Sequence, residues 1–294
     1  MLTHAHEKPV APERAVVIGA GGMVGGAIVK ELQKAGINTL GVTRKEVDLL
    51  SPGGADALKA LLKPDDAVVF VSAVAPAKNA AQVLINLRMA ESAIAAFAAA
   101  PPAHLLYISS DAVYADDANP VTERSPCAPS TTHGLMHLAR EIFFRNEYKG
   151  PFAILRPTLI YGAHDPHSGY GPNRYRKLAA KGETIGLFGR GEEKRDHVAV
   201  EDVARLAVRI LQHGSTGVLN AVTGVSTSFN TIAHIVAAEF KPAAKVELVP
   251  RPGPQPHLLH RFFDIADCYM SFPDFHFEPL EKGLKRVHAE VSGG

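Results

Sequence analysis

Four side chains near the middle of the chain are of types that move protons or hold substrate oxygens. Ser110 and Asp111 place a hydroxyl beside a carboxyl. His133 and His137 stand four residues apart, so on a helix both rings share one face. An imidazole has an unperturbed pKa of ~6.5 and is roughly one-quarter protonated at pH 7, which suits it to give a proton near neutrality. The same spacing can chelate a metal. The third polar group, Glu141, however, would lie about 12 Å along the axis from His133 by helix rise and cannot share one ion. The H-E-x-x-H pattern also fails, because Gly134 follows His133. No metal is assigned. The plain alternative for both histidines is a polar helix face lining a cleft.

What these groups would act beside is set by VVIGAGGMVGG at Val16–Gly26. It reads as a buried strand, a glycine turn and the opening of a helix. Gly19 suits the tight turn, Gly22 lets backbone approach a diphosphate, and Gly25 lets the helix pack on its strand. Met23 and Val24 open the helix, whose free amides and positive dipole end face an anion. Apolar Ile28, Val29 and Leu32 continue at helical spacing to Ala35-Gly36. The acid that grips a ribose 2′-hydroxyl belongs about twenty positions past such glycines. There the sequence reads Gly41-Val42-Thr43-Arg44-Lys45, with no acid and two bases. A guanidinium at that place can hold a 2′-phosphate, so NADP(H) is expected over NAD(H). Otherwise Arg44 and Lys45 form a solvated turn, with Asp48 and Leu49 near the adenine.

The elements around these residues alternate. Strand-like runs at Ile37–Val42, Ala67–Ser72, Leu105–Ser109 and Phe152–Arg156 are separated by helical stretches near Gly54–Leu62, Asn79–Ala99 and Thr132–Tyr148. Such alternation predicts an α/β fold, a Rossmann-type doubly wound parallel sheet with helices on both faces. Regularity weakens after Pro157, across the Gly-, Pro- and His-rich 162–197. It returns with a helix near Glu201–Leu211, a strand at Val218–Ala221, a helix at Asn230–Phe240 and a strand at Lys245–Val249. The expected organisation is a nucleotide-binding domain over 14–162 and 198–222, and a smaller, discontinuous α/β substrate lobe over 163–197 and 223–294. Residues 1–13 are expected to be a flexible arm.

The 294 residues are enough for one large α/β unit or two lobes, and the net charge of +1 gives no footprint for nucleic acid or an anionic membrane. Cys127 and Cys268, far apart, form no disulfide framework. The polar start MLTHAHEKPVAPER lacks the apolar core of a signal peptide, and no stretch reaches the ~18–20 apolar residues of a membrane span. A cytoplasmic protein is expected.

Several ordered motifs together resemble the extended short-chain dehydrogenase/reductase family of nucleotide-sugar epimerases, dehydratases and reductases. Gly19, Gly22 and Gly25 match its glycine loop. Ser72-Ala73-Val74-Ala75 resembles its cofactor-lining turn, and Ser109–Tyr114 its catalytic serine/threonine segment. Arg156-Pro157-Thr158 with Tyr161-Gly162 resembles the segment flanking the nicotinamide. Gly189, Gly191, Arg195-Asp196, Val200 and Asp202 are similar to its substrate-lobe signature. The resemblance implies cofactor contacts at Ala73, Val74, Ala75, Arg156 and Thr158. It also implies a Ser/Thr–Tyr–Lys catalytic set. Here the chain departs, with His133 and His137 standing where Tyr and Lys are expected.

Histidine at 133 is a candidate proton donor for the alkoxide that hydride delivery creates, and a neighbouring ammonium would repel its proton where a neutral imidazole would not. His137 would then meet the nicotinamide ribose. Asp111 is the second candidate acid. Ser110 would hold the substrate oxygen, Asn173 the nucleotide diphosphate and Arg195 a phosphate, unless Arg195 only pairs with Asp196 or Asp202. Glu123 and Arg261 read as surface residues. The expected activity is an NADP(H)-dependent keto-sugar reductase acting on a nucleotide-linked sugar. The alternatives are an epimerase or a catalytically lapsed cofactor-binding scaffold. By analogy with the family, a homodimer through the two long helices is expected.

Overall fold

The computed structural model describes residues 1–166, 171–251, 253 and 258–293. In chain order, β1 (Leu2–Thr3) and β2 (Arg14–Ile18) precede α1 (Met23–Lys34), β3 (Thr39–Val42), α2 (Gly54–Leu61), β4 (Asp66–Phe70) and α3 (Ala80–Ala99). Then come β5 (His104–Ile108), a single 3-10 turn at Asp111–Val113, α4 (Thr132–Glu147), β6 (Phe152–Pro157) and β7 (Leu159–Tyr161). The chain continues through α5 (Gly171–Ala180), β8 (Ile185–Phe188), β9 (Lys194–Ala199), α6 (Val200–Gln212) and β10 (Thr216–Ala221). It ends with β11 (Ser226–Ser228), α7 (Phe229–Ala238), β12 (Val246–Val249), α8 (Ala266–Ser271) and α9 (Leu280–Ser292).

The large sheet runs β1-β10-β6-β5-β4-β2-β3, parallel except at β1. The chain order reverses between β2 and β4, the place where open α/β sheets leave a crevice at the carboxyl ends of their strands. The strands are apolar on both faces, and each face feeds a different layer. Val17, Val69 and Leu106 pack with Ile28 and Leu32 of α1 and with α6. Val16, Phe70 and Tyr107 pack with Leu58 of α2, Phe97 of α3 and Phe144 of α4. Burial on both sides is why these strands read as unbroken β-branched runs rather than as alternating ones.

The smaller lobe holds the sheet β11-β9-β7 and the pair β12-β8. Its core joins Tyr161, Tyr175, Ile185, Leu187, Ile232 and Leu284. Three expectations are corrected here. The 1–13 arm is not loose: Leu2 and Thr3 pair with Gly217 and Thr216, and the amides of Ala5 and His6 donate to the His213 carbonyl. The chain leaves the large sheet at Pro157, not after 162, because β7 pairs with β9. Residues 223–294 do not all belong to the second lobe, since Cys268, Phe272 and Phe275 pack in the core of the large sheet.

Candidate active site

The glycine loop turns as its spacing requires. Gly19 has φ of +104°, and a Cβ there would stand 2.6 Å from the Ser72 amide nitrogen. A side chain at Gly25 would overlap the Gly19 carbonyl, so α1 lies directly on the loop. Gly22 N-caps α1 without any side-chain hydrogen bond, and the first turn holds no acid. By contrast α3, α4 and α7 are capped by Asn79, Thr131 and Ser228. A bare, positive helix end at the crevice fits a diphosphate.

At the end of β3, Arg44 is 79% exposed and reaches Asp48 at 3.1 Å. An exposed pair of this kind is weak and screened by solvent, so Arg44 is not fixed by it. The Thr43 amide and hydroxyl both donate to Glu46, at 2.8 and 2.6 Å. Glu46 escaped the sequence reading, although T-x-x-E is a recognised capping signal that would have found it. The Asp48 carboxylate accepts from the Leu50 amide, and the Leu49 side chain is buried in the core. Leu49 therefore offers an adenine only its backbone.

The stretch after β4, holding Ala73, Val74 and Ala75, is fastened from several sides. Asn86 accepts from the Val74 amide and donates to the Val74 carbonyl, both at 3.0 Å. Arg140 donates to the Ser72 carbonyl at 2.9 Å. From the first turn of α4, the Thr132 hydroxyl donates to the Ala77 carbonyl at 2.8 Å, and His133 Nδ1 accepts from the Ala77 amide at 3.4 Å. The same turn lies against the 111–113 segment, where a Cβ on Gly134 would overlap the Ala112 carbonyl oxygen. The first turn of α4 thus meets both the stretch that follows β4 and the segment that follows β5.

Beneath them lies a buried polar network that sequence reasoning missed. Glu141 accepts two hydrogen bonds from Arg156, at 2.9 and 2.6 Å, and one from the Ser109 hydroxyl at 2.6 Å. Arg156 stacks over the Tyr114 ring at 4.8 Å, and Tyr114 donates to Asn220 at 2.7 Å. Arg156, expected beside the nicotinamide, has its guanidinium spent on Glu141 and is only 3% exposed. No sequence signal joins residues 141 and 156, which meet only once α4 crosses the sheet.

The catalytic candidates sit in contrasting environments. Asp111 is approached by the Ser110 and Thr158 hydroxyls, each at 3.4 Å. Burial raises its pKa, against the pull of Arg261 and Arg195. His137 Nδ1 lies 2.7 Å from the Tyr107 hydroxyl. Burial, then His133 and Arg140, hold its pKa well below the usual imidazole value. The rings of His133 and His137 pack edge to face at 4.7 Å.

On the substrate side, Asn173 is buried and donates to Asp165. Arg195 donates to the carbonyls of Leu258 and Leu259 rather than pairing with Asp196 or Asp202. Asp202 instead takes Arg205. Arg261 is buried, not a surface residue, and donates to the Ala115 carbonyl at 2.7 Å. Glu123 accepts from the Asn220 amide at 2.8 Å. His167 and His257, with the rest of 167–170 and 254–257, lie outside the described residues. Among the described residues no group of three or more His, Cys, Asp or Glu is placed to hold a metal, and no helix is long and apolar enough to cross a membrane.

A doubly wound parallel sheet with a glycine turn leading into a helix that has no side-chain cap defines a Rossmann-type α/β protein. Residues 15–222 match the model of the NAD dependent epimerase/dehydratase family, and the chain belongs to that family. It is 30% identical over 167 residues to dTDP-4-dehydro-6-deoxy-D-allose reductase of Streptomyces bikiniensis, covering 54% of this chain and 48% of that protein. It is 28% identical over 203 residues to ADP-L-glycero-D-manno-heptose-6-epimerase of Alkalilimnicola ehrlichii, covering 61% of each. The matches therefore span about half to three-fifths of these curated relatives. Among solved structures, a GDP-L-fucose synthetase from Naegleria fowleri superposes with a TM-score of 0.84 at 18% identity, over 99% of this chain and 98% of that one. A GDP-mannoheptose C4 reductase from Campylobacter jejuni, solved with NADP bound, gives 0.78 at 18% identity, over 96% and 98%. These two likenesses speak to the fold.

Proposed function

We propose that the protein is an NADP(H)-dependent reductase of a keto-sugar carried on a nucleoside diphosphate, with His133 delivering the proton in place of a tyrosine. The observation that carries this reading is the double clamp on the first turn of α4. It is tied to Ala77 on one side and pressed on Ala112 on the other, which supports reading His133, Ser110 and Asp111 as parts of one site. Gly22, Met23, Val24 and the bare end of α1 would hold the diphosphate, and Arg44 the 2′-phosphate. Thr43, Lys45 and Asp48 complete that turn. The nicotinamide supplies the hydride when bound. Ser110 orients the carbonyl oxygen, and His133, with Nδ1 turned to Ala77, offers Nε2 to that oxygen. Arg195 and Asn173 border the nucleotide.

The relatives include both a reductase and an epimerase by their printed names. A direct test is NADPH oxidation with nucleoside-diphosphate 4-keto-sugars. One NADPH consumed per sugar supports reduction; product formed with no net cofactor use means epimerisation. No turnover beside tight nucleotide binding means a lapsed scaffold. His133→Ala should lower kcat at least a hundredfold, the usual worth of a positioned acid, with NADPH affinity nearly intact.

A second donor is favoured by one observation. The Asp111 carboxyl accepts from the Ser110 and Thr158 hydroxyls, each at 3.4 Å, and burial raises its pKa, which favours its acid form. If Asp111→Asn abolishes turnover while His133→Ala spares it, Asp111 is the donor. We also infer a cytoplasmic homodimer through α3 and α4. Its support is the free Cys127 and Cys268 and the exposure of Leu84, Leu135 and Ile142 on that helix pair.

A further inference from the structure

His137 is anchored from below. Its Nδ1 lies 2.7 Å from the Tyr107 hydroxyl, and both residues are buried. Tyr107 is on β5, on the sheet face that α3 and α4 cover. Distance alone allows either group to donate. The surroundings decide. The Arg140 guanidinium, which carries only donors, stacks over Phe70 at 5.0 Å and lies 5.9 Å from the Tyr107 ring centre. Its charge favours electron density on the phenol oxygen and opposes a second proton on the imidazole. The phenol proton therefore points to Nδ1, and the ring's one proton sits on Nε2. Across an imidazole the two nitrogens face opposite ways. Nε2–H is directed away from the sheet, on the side where His133 stands. The groups facing His137 are Tyr107 from β5 and His133 and Arg140 from its own helix.

We propose that Tyr107 and Arg140 are positioning residues that hold His137 as a single Nε2–H tautomer, and that this N–H donates to the ribose hydroxyls of the bound nicotinamide nucleotide. The inference rests on the cofactor site proposed above. It explains why a lysine does not stand at 137. An ammonium there would meet the Arg140 guanidinium one turn on, with no carboxylate between them. Glu141 is already taken by Arg156.

The test combines 15N spectra of histidine-labelled protein with NADPH titrations, so that binding and tautomer are read without turnover. In the wild type, His137 should show an unprotonated Nδ1 and a protonated Nε2 from pH 5.5 to 8. Tyr107→Phe should mix the tautomers and weaken NADPH binding about three- to tenfold, as for one lost hydrogen bond. His137→Gln, which keeps a neutral N–H donor, should bind NADPH within about threefold of wild type. His137→Leu and His137→Lys should both bind at least tenfold worse. This series stands in if Tyr107→Phe does not fold. A wild-type ring protonated on Nδ1, an unchanged tautomer in Tyr107→Phe, or tighter binding by His137→Lys would overturn the proposal. A wild type that binds neither NADPH nor NADH removes the ribose contact together with the cofactor reading, while the tautomer is still decided by the spectra.

Discussion

At His137 burial, helped by His133 and Arg140, opposes the imidazole's charge, and burial acts the same way on other histidines of this chain. Burial lowers the pKa of His104 and His137, and that of His197 to about 4. Above pH ~6.5 both folded and unfolded chains keep these rings neutral. As pH falls from there, the unfolded chain takes up protons first, so their contribution to stability is lost toward acid. For His197 the loss amounts to about 3 kcal/mol by pH 4. Asp196, pushed up to about 6 by burial, works the other way: its contribution is present in acid and lost as pH rises through 6. Variants separate the two. His197→Gln should gain stability relative to wild type between pH 6.5 and 4 in chemical denaturation. Asp196→Asn should gain between pH 4 and 7. Parallel curves would refute both assignments. Glu141→Gln should cost about 3–5 kcal/mol in the same assay, because it leaves the Arg156 guanidinium buried without its counter-charge. Little of this network was legible in the sequence. Residue types that could ionise were visible, but the partner that sets each one's proton was a contact made only by the folded sheet.

At the scale of elements, the glycine loop separates two roles that the sequence assigns together. A Cβ on Gly22 would find its nearest neighbour, the Gly19 carbonyl oxygen, at 3.5 Å, an ordinary contact. Gly22→Ala should therefore fold within about 0.5–1 kcal/mol of wild type, yet bind NADPH poorly because a methyl group stands where the diphosphate approaches. Gly25→Ala should lower stability by several times that amount, since α1 must move off the loop. Equal stability for the two variants, measured by urea titration, would contradict this division. Here the sequence was informative, because strand, turn and helix are local and contiguous. The expected helices at Gly54–Leu62, Asn79–Ala99 and Thr132–Tyr148 correspond to α2, α3 and α4 for the same reason, Asn79 being the cap of α3. The passage between the lobes was harder to read because β7 is three residues long and follows β6 after the single residue Thr158. Its hydrogen-bond partner β9 lies more than thirty residues on, after an irregular stretch.

For the whole molecule, the proposed dimer gives a test independent of catalysis. Leu84 and Leu135 are each more than half exposed, on α3 and α4. Replacing both with glutamate should convert a dimer to a monomer in sedimentation without loss of the helical signal; a wild type that sediments as a monomer ends that reading. The parallel sheet was readable from the alternation of elements. The path of its first residues was not, because two residues of strand carry no periodicity to detect. That pairing has a consequence for how the polypeptide matures. Residues 2 and 3 leave the ribosome well before their seat beside β10, which does not exist until residues 216–221 have been made. Until then an unshielded sheet edge and an unpaired segment coexist, and a nascent chain stalled short of that point should be the form most readily bound by chaperones and clipped by proteases.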